Sequence, residues 1–147
     1  MLLPTYGATL LSDDTRAASQ FLLKTAYGKD IVLKSTGEQH YSYMYAADAV
    51  TGLLTVMLKG KCGEAYNIAD KGSDIRLKDL AELIAAKSGK KVVYELLDET
   101  EKSGYSTTAK ARLDSTKLRK LGWKAAYNID KGIGNTLSII KNLIDNE

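Results

Sequence analysis

The hydrophobic positions of this chain recur at helical spacing in several segments, which are separated by turns that contain glycine. Five helices are predicted, beginning near Thr15, Asp48, Leu77, Ser115 and Asp130. Ser12, Asp13 and Asp14 offer side-chain oxygens to cap the first helix, and Gly28 ends it. The apolar stripes predicted to face the core are Ala17, Ala18, Phe21, Leu22 and Ala26; Val50, Leu53, Leu54 and Met57; Leu77, Leu80, Leu83 and Ile84; and Ile133, Leu137, Ile140 and Ile144.

Short apolar or alternating runs between these helices predict strands. They cover residues 2–6, 31–33, 41–45, 65–69 and 92–96, and the third run alternates Tyr41, Tyr43 and Tyr45 with smaller side chains. Residues 98–110 are polar and contain Gly104, so a long loop is expected there. The alternation of strands and helices predicts an α/β fold. The strands are too short and too few for the full run of βα units of a dinucleotide-binding domain.

The composition argues against several classes of function. The 147 residues fit one domain, with 44% hydrophobic and 27% charged residues and a net charge of +3. The basic residues are scattered and include only four arginines. No dense basic stripe is present, so nucleic-acid binding is not expected. No apolar run has the length of a membrane span. The single Cys62 cannot form an internal disulfide, and we expect a reducing, cytoplasmic environment.

One segment carries a recognisable pattern. Residues 37–50, Gly-Glu-Gln-His-Tyr-Ser-Tyr-Met-Tyr-Ala-Ala-Asp-Ala-Val, contain a glycine turn, alternating aromatics and an acidic residue before an apolar helix. This segment resembles the Gly-x-x-x-Arg-x-Phe-x-Tyr-Val-x-Asp-x-Val of the nucleotide-sugar epimerases and dehydratases, in the extended short-chain dehydrogenase/reductase family. Here Tyr41 stands at the arginine position.

Further motifs of that family occur before and after this segment, in the order in which the family has them. They are Tyr6-Gly7-Ala8, Asp14-Thr15-Arg16 with Phe21, Gly28 to Leu33, Gly63-Glu64-Ala65-Tyr66-Asn67-Ile68, Asp114 to Lys117 with Leu121-Gly122-Trp123, and Asp130-Lys131-Gly132-Ile133 with Thr136. Each motif alone is weak, whereas their order and separations are specific.

Two signatures of a complete enzyme of this kind are absent from the sequence. No Gly-rich phosphate-binding turn follows a first strand. The family's catalytic Tyr-x-x-x-Lys spacing occurs once, at Tyr127 and Lys131, far from the family's position for that pair. With nine tyrosines in the chain, about one such match is expected by chance. We therefore predict no catalytic residue and no metal ligand in this chain.

The resemblance implies a small mixed α/β substrate-binding lobe that lacks most of the Rossmann domain. Residues 1–147 would form a single C-terminal substrate-binding domain, with 1–8 as a remnant of the last Rossmann strands. It implies an NAD-dependent epimerase, dehydratase or decarboxylase acting on a nucleoside-diphosphate sugar. NAD would be bound mainly by the missing N-terminal Rossmann domain, and this chain alone would need no cofactor. A homo-oligomer is possible.

The resemblance also assigns substrate-binding residues. Arg16, in the first helix, would meet the diphosphate, or it would pair with Asp13 or Asp14 near the helix start. Val32 lies in the strand that borders the nucleotide base. Tyr41 would give phosphate one neutral hydrogen bond in place of a charged fork, or it would serve only as a strand aromatic.

Four further residues are candidate ligands in the same family scheme. Lys110 and Arg112 are the basic residues nearest to a second phosphate arginine, or they belong to a solvated face. Pro4 and Tyr6 fall at cofactor-binding positions, and Pro4 replaces an asparagine that often bonds phosphate there. His40 would partly restore the charge missing at Tyr41, or it would be solvated in a turn.

Other conspicuous residues are expected to be structural. Tyr43 and Tyr45 are predicted core aromatics, Asp48 a helix cap, Trp123 a core residue and Cys62 a turn residue. Two alternatives to the substrate-binding role remain open. The chain is a non-catalytic remnant that binds nucleotide weakly or not at all, or it self-associates through apolar surface meant for the absent half.

Overall fold

The structure, a computed structural model, describes residues 4–8, 13–95 and 110–146, and for residues 110 and 111 the backbone alone. Several predictions lie outside the described residues. They are the part of the first strand at Leu2 and Leu3, the Ser12 cap, the strand end at Leu96, the loop over 98–109 and the Lys110 side chain.

Helices and short strands alternate along the described chain. The strands are β1 (Thr5–Tyr6), β2 (Ile31–Leu33), β3 (His40–Ser42), β4 (Met44–Tyr45), β5 (Asp74–Arg76), β6 (Val92–Tyr94) and β7 (Lys110–Ala111). The helices are α1 (Ala17–Ala26), α2 (Ala46–Lys59), α3 (Leu77–Ser88), α4 (Thr116–Arg119) and α5 (Ile129–Ile144), with one 3₁₀ turn at Lys71–Ser73. The predicted mixed α/β class is confirmed.

The described strands form three small sheets. β1 pairs in parallel with β4, and β2 pairs in parallel with β6. β3 lies between antiparallel β5 and parallel β7. The single strand predicted over 41–45 is therefore wrong. Tyr43 N donates to Ser73 O and Met44 N donates to Pro4 O, so neighbouring residues bond to different parts of the chain and the run divides into β3 and β4.

Most of the predicted core is confirmed. α1, α3 and α5 bury Phe21, Leu22, Leu80, Ile84 and Ile133 against β2 and the aromatic rings of β1 and β4. Tyr43 and Tyr45 are buried as expected, and the Tyr45 ring lies 4.7 Å from that of Tyr127. A second cluster contains Trp123, which is buried as predicted. Its other members are Met44, Ala49, Tyr66, Ile68 and Leu118.

The stripe predicted to be buried in α2 is wrong. Val50, Leu53, Leu54 and Met57 are exposed, and the helix buries Asp48, Ala49 and Gly52 instead. The reason is that the backbone of α2 lies very close to the second cluster. A Cβ added at Gly52 would lie 2.8 Å from Ile68 Cγ2 and 3.5 Å from Trp123 Cε2, so this interface has no room for a larger side chain.

Two local predictions need correction. Residues 65–69, all described, form no strand, and only Ile68 makes an isolated bridge. Side chains hold this segment instead, because Lys117 Nζ donates to Ala65 O and Asn67 Nδ2 donates to Asp114 O, each at 3.0 Å. Helix α1 begins at Ala17, later than near Thr15, and its N-cap Arg16 makes no side-chain cap bond.

Asp48 is not the helix cap that the sequence suggests. It is buried, and its two carboxylate oxygens accept from Ala126 N and Tyr127 N, each at 2.9 Å. It therefore joins the start of α2 to the segment that leads into α5. Within the described residues, no helix has both the length and the apolar character that crossing a membrane requires.

Candidate functional site

A cavity of about 770 Å³ opens between α1, β2 and the segment that runs into β3. Its volume falls in the range of small-molecule sites. The sequence explains its walls by two periodicities. Gln39, Tyr41 and Tyr43 alternate along an extended segment and so share one face. Arg16, Gln20 and Lys24 are four residues apart and share one side of α1. All six of these residues line the cavity.

The floor of the cavity is apolar and its rim is basic. Ala17, Ala18, Phe21, Leu33 and Leu77 contribute apolar lining. Arg16, Lys24 and Lys34 contribute the cations, and the lining residues among the described part of the chain include no carboxylate, histidine or cysteine. Such a site suits a ligand with an apolar or planar part and a negative charge.

Arg16 lines the cavity and is paired with Asp14, as one alternative from the sequence predicted. Its Nη2 and Nε bond the Asp14 carboxylate at 2.5 and 3.0 Å, and its Nη1 donates to Thr5 O at 3.1 Å. The guanidinium bond is the main cause that holds the pKa of Asp14 well below its ordinary value. The paired carboxylate offsets much of the charge of Arg16, which weakens its attraction for a phosphate.

Val32 and Tyr41 also line the cavity, so the structure brings three of the predicted substrate residues together. The Tyr41 ring meets that of Tyr43 edge-on at 6.3 Å. Burial, the main cause, raises the pKa of Tyr43 above its ordinary value, so its hydroxyl stays neutral over the physiological range.

Arg112 is not among the cavity residues. Its Nη2 lies 2.5 Å from His40 Nδ1, and its Nε lies 3.7 Å from Asp74 Oδ2. His40 belongs to β3 and contacts this guanidinium, so the expectation that it lies in a turn is wrong. Neither Arg112 nor His40 lines the cavity, and the phosphate role of Arg112 stays a prediction. The side chain of Lys110 lies outside the described residues.

The two positions assigned to NAD do not present polar groups to a cofactor. Tyr6 is 2% exposed, and its hydroxyl lies against Gly132 in the core without a hydrogen-bond partner among the described residues. Its pKa is raised, mainly by burial. Pro4 lies at the cavity edge, but its carbonyl accepts from Met44 N at 3.0 Å. The described residues also hold no group of three or more potential metal ligands.

Sequence reasoning missed three cavity residues. Lys24 and Lys34 make no ion pair within the described part of the chain, in contrast to Arg16. The Gln39 Oε1 atom is buried at the cavity wall without a hydrogen-bond partner there. The spacing of residues along the sequence could have identified all three as cavity residues. Lys24 follows Arg16 and Gln20 by steps of four, Lys34 follows Val32 by two, and Gln39 precedes Tyr41 by two.

Comparison with known proteins agrees with this fold. Residues 1–69 match the model of the NAD dependent epimerase/dehydratase family. The chain is 28% identical over 121 residues to dTDP-D-glucose 4,6-dehydratase of Mus musculus, which covers 80% of this chain and 34% of that protein. It is 26% identical over 144 residues to UDP-glucuronic acid decarboxylase 1 of Arabidopsis thaliana, covering 97% of this chain and 32% of that protein.

Solved structures show the same fold. UDP-glucose 4-epimerase of Thermotoga maritima with UDP-glucose superposes with a TM-score of 0.82 at 23% identity, over 97% of this chain and 45% of that one. The dTDP-glucose 4,6-dehydratase of Bacillus anthracis in complex with NAD gives 0.80 at 17% identity, over 96% and 43%. This chain thus spans about a third of those curated relatives and under half of those structures. The family model thus matches the first 69 residues, and the curated relatives that the chain resembles are sugar-nucleotide dehydratases and decarboxylases.

Proposed function

We propose that this chain is the substrate-binding portion of an NAD-dependent epimerase, dehydratase or decarboxylase that acts on a nucleoside-diphosphate sugar. The observation that carries the proposal is the cavity, where an apolar floor meets the cations Arg16, Lys24 and Lys34. Residues 1–147 would act as one domain, and residues 1–8 would belong to the last strands of the nucleotide-binding part.

The cavity offers suitable contacts to both ends of such a ligand. Val32, Phe21 and Tyr41 offer apolar and aromatic surface to a base, and Lys24 and Lys34 offer positive charge to a diphosphate. The buried Gln39 Oε1 lacks a partner among the described residues and would accept a hydrogen bond from a donor on the ligand. Because the Pro4 carbonyl bonds Met44 N and the Tyr6 hydroxyl is buried in the core, NAD would be bound mainly by the remaining part of the enzyme.

Isothermal titration calorimetry with UDP-glucose and dTDP-glucose tests the proposal. We expect a dissociation constant of roughly 1–100 µM for at least one of them. Lys34→Ala should weaken binding about fivefold, because an exposed charge contributes about 1 kcal/mol to such a contact. Lys141→Ala, which removes an exposed lysine on α5 that is not among the cavity residues, should leave the affinity unchanged.

A non-catalytic remnant is the second candidate function. The pairing of Arg16 with Asp14 and the presence of Tyr41 at a family arginine position favour it, since both reduce the charge available to a diphosphate. No heat with either sugar nucleotide at millimolar concentration, from protein that unfolds cooperatively, would support the remnant and exclude the binding role.

A further inference from the structure

The sheet formed by β5, β3 and β7 carries the single histidine of the chain next to an arginine. Arg112 directly follows β7, and its Nη2 lies 2.5 Å from His40 Nδ1 and 3.2 Å from His40 Nε2. An arginine side chain can only donate hydrogen bonds, so an imidazole nitrogen must accept. Only the neutral imidazole has a nitrogen that accepts. The contact between β3 and the residue after β7 therefore requires an uncharged His40.

A carboxylate ties Arg112 to the same strand. Asp74 of β5 accepts from the buried hydroxyl of Ser42 on β3, and its Oδ2 lies 3.7 Å from Arg112 Nε. His40 and Ser42 are two residues apart in β3 and so share one face of the strand. The backbone pairing of β7 with β3 covers two residues in the described structure. With so short a ladder, the contacts of the Arg112 side chain contribute a large part of what holds β7 in place.

The other described carboxylates near His40 are already paired with cations. Glu38 accepts from Lys78 at 2.5 Å and lies 3.6 Å from Arg76. Asp79 accepts from Arg76 at 2.6 Å. His40 itself lies in register with Arg76 on one neighbouring strand and with Lys110 on the other. A proton on His40 would therefore add a positive charge among cations whose described carboxylate partners are occupied.

We propose that His40 and Arg112 form a proton-sensitive latch between β3 and β7. Histidine is the side chain that changes its charge between about pH 5 and 8. While His40 is neutral, it accepts from Arg112 and β7 stays paired with β3. When His40 takes up a proton, both ring nitrogens become donors, the bond to Arg112 is lost and the two positive charges repel. Arg112 then leaves His40, and β7 separates from β3.

The latch acts on a strand that forms part of the cavity wall. Gln39 and Tyr41 flank His40 in the sequence, and both line the cavity. Tyr41 lies in register with Ile75 of β5 on one side and with Ala111 of β7 on the other. Release of β7 leaves this wall supported by β5 alone within the described sheet. Acidification should thus loosen the wall while the rest of the fold stays intact.

Hydrogen exchange of backbone amides, followed by NMR at about pH 5.5 and about pH 7.5, tests the latch. The quantity compared is the protection factor, the ratio of the intrinsic to the observed exchange rate at each pH, so the pH dependence of exchange itself cancels. The amides that bond across β3 and β7 are the reporters. The amides that bond across β2 and β6, another parallel pair in the same molecule, are the internal control.

We expect the protection factors across β3 and β7 to be about fivefold lower at the acidic pH, because a partly exposed charge contact contributes up to about 1 kcal/mol. Those across β2 and β6 should not change. His40→Gln should abolish the pH dependence, since the amide oxygen still accepts from Arg112 and takes up no proton in this range. Arg112→Gln should leave protection low at both pH values. Arg119→Gln, the matched loss of an exposed arginine that pairs with Asp114, should retain the pH dependence.

Three outcomes would overturn the proposal. The unchanged chain could show equal protection across β3 and β7 at both pH values. The pH dependence could persist in His40→Gln, in which case another group titrates. Protection across β2 and β6 could fall in parallel, which would show a general loosening by acid. If His40→Gln does not fold, the comparison of Arg112→Gln with Arg119→Gln decides. No ligand is present, so these outcomes are independent of the calorimetric test of the proposed function.

Discussion

At the scale of single residues, Tyr6 packs tightly against Gly132 in the core. A Cβ added at Gly132 would lie 2.0 Å from the Tyr6 hydroxyl oxygen and 2.9 Å from the ring carbon that bears it. Tyr6 is buried and has no room to withdraw easily. The glycine in this helix is therefore explained by contact with a neighbouring side chain, because alanine would otherwise be the better helix former.

Gly132→Ala should destabilise the protein by about 1–3 kcal/mol, since overpacking outweighs the gain in helix propensity. Tyr6→Phe should be neutral or stabilising because it removes a buried hydroxyl that lacks a partner. The double variant should recover part of the loss. Urea unfolding of the three variants measures these effects.

Gly134→Ala is the matched control in the same helix. Its added Cβ would meet only Lys87 Nζ, at 3.9 Å, so we expect a gain of about 0.5–1 kcal/mol. A Gly132→Ala variant as stable as Gly134→Ala would contradict the packing described for Tyr6.

At the scale of elements, Asp48 decides how α2 joins the rest of the fold. Asp48→Ala should cost about 2–4 kcal/mol, because it leaves the Ala126 and Tyr127 amides without their charged acceptor. Asp48→Asn should cost less, since the amide oxygen still accepts one of the two bonds. Thermal and urea unfolding measure the difference.

Asp130→Ala serves as the control for Asp48. Asp130 pairs with Lys87 at 2.9 Å and its side chain is 60% exposed, so its loss should cost less than about 1 kcal/mol. Similar losses for Asp48→Ala and Asp130→Ala would show that the bonds to 126 and 127 contribute little.

The elements also show where patterns in the sequence are reliable. Helical spacing correctly predicts the buried faces of α1, α3 and α5, because these helices pack large apolar side chains against one another. The same rule gave the wrong face for α2. One side of α2 carries large apolar residues and the other carries small ones. The side with small residues is buried because Ile68 and Trp123 lie too close to the helix for larger side chains. Spacing alone carries no information about that distance.

At the scale of the whole molecule, this chain corresponds to less than half of the solved relatives it matches. Its sequence has no Gly-rich phosphate turn. The one Tyr-x-x-x-Lys spacing does not line the cavity, since the Tyr127 ring packs on Tyr45 and the Lys131 amide donates to Asn128. Neither of these two signatures therefore occurs at its family position in this sequence.

We expect the isolated chain, given UDP-glucose or dTDP-glucose and NAD, to form no new sugar nucleotide above a control without protein. Proton NMR or chromatography of the sugar nucleotides measures this. Product that accumulates with the chain, and that disappears with Tyr127→Phe, would show instead that the pair at 127 and 131 is catalytic.

The sequence by itself determined the mixed α/β class, the resemblance to the epimerase/dehydratase family and most of the buried helix faces. These follow from periodicity and from ordered motifs, both of which are local. It also predicted that Arg16, Val32 and Tyr41 contact the substrate, and these three residues line the same cavity. It suggested the structural roles of Tyr43, Tyr45 and Trp123 correctly.

Only the tertiary structure decided which cations line the cavity and which apolar surface remains exposed. It separated Arg112 from the cavity, paired Arg16 with Asp14, and added Lys24 and Lys34 to the rim. It also turned the large side chains of α2 outward. These outcomes depend on distances between segments far apart in the chain, and such distances are set by packing between elements and not by the spacing of residues within one element.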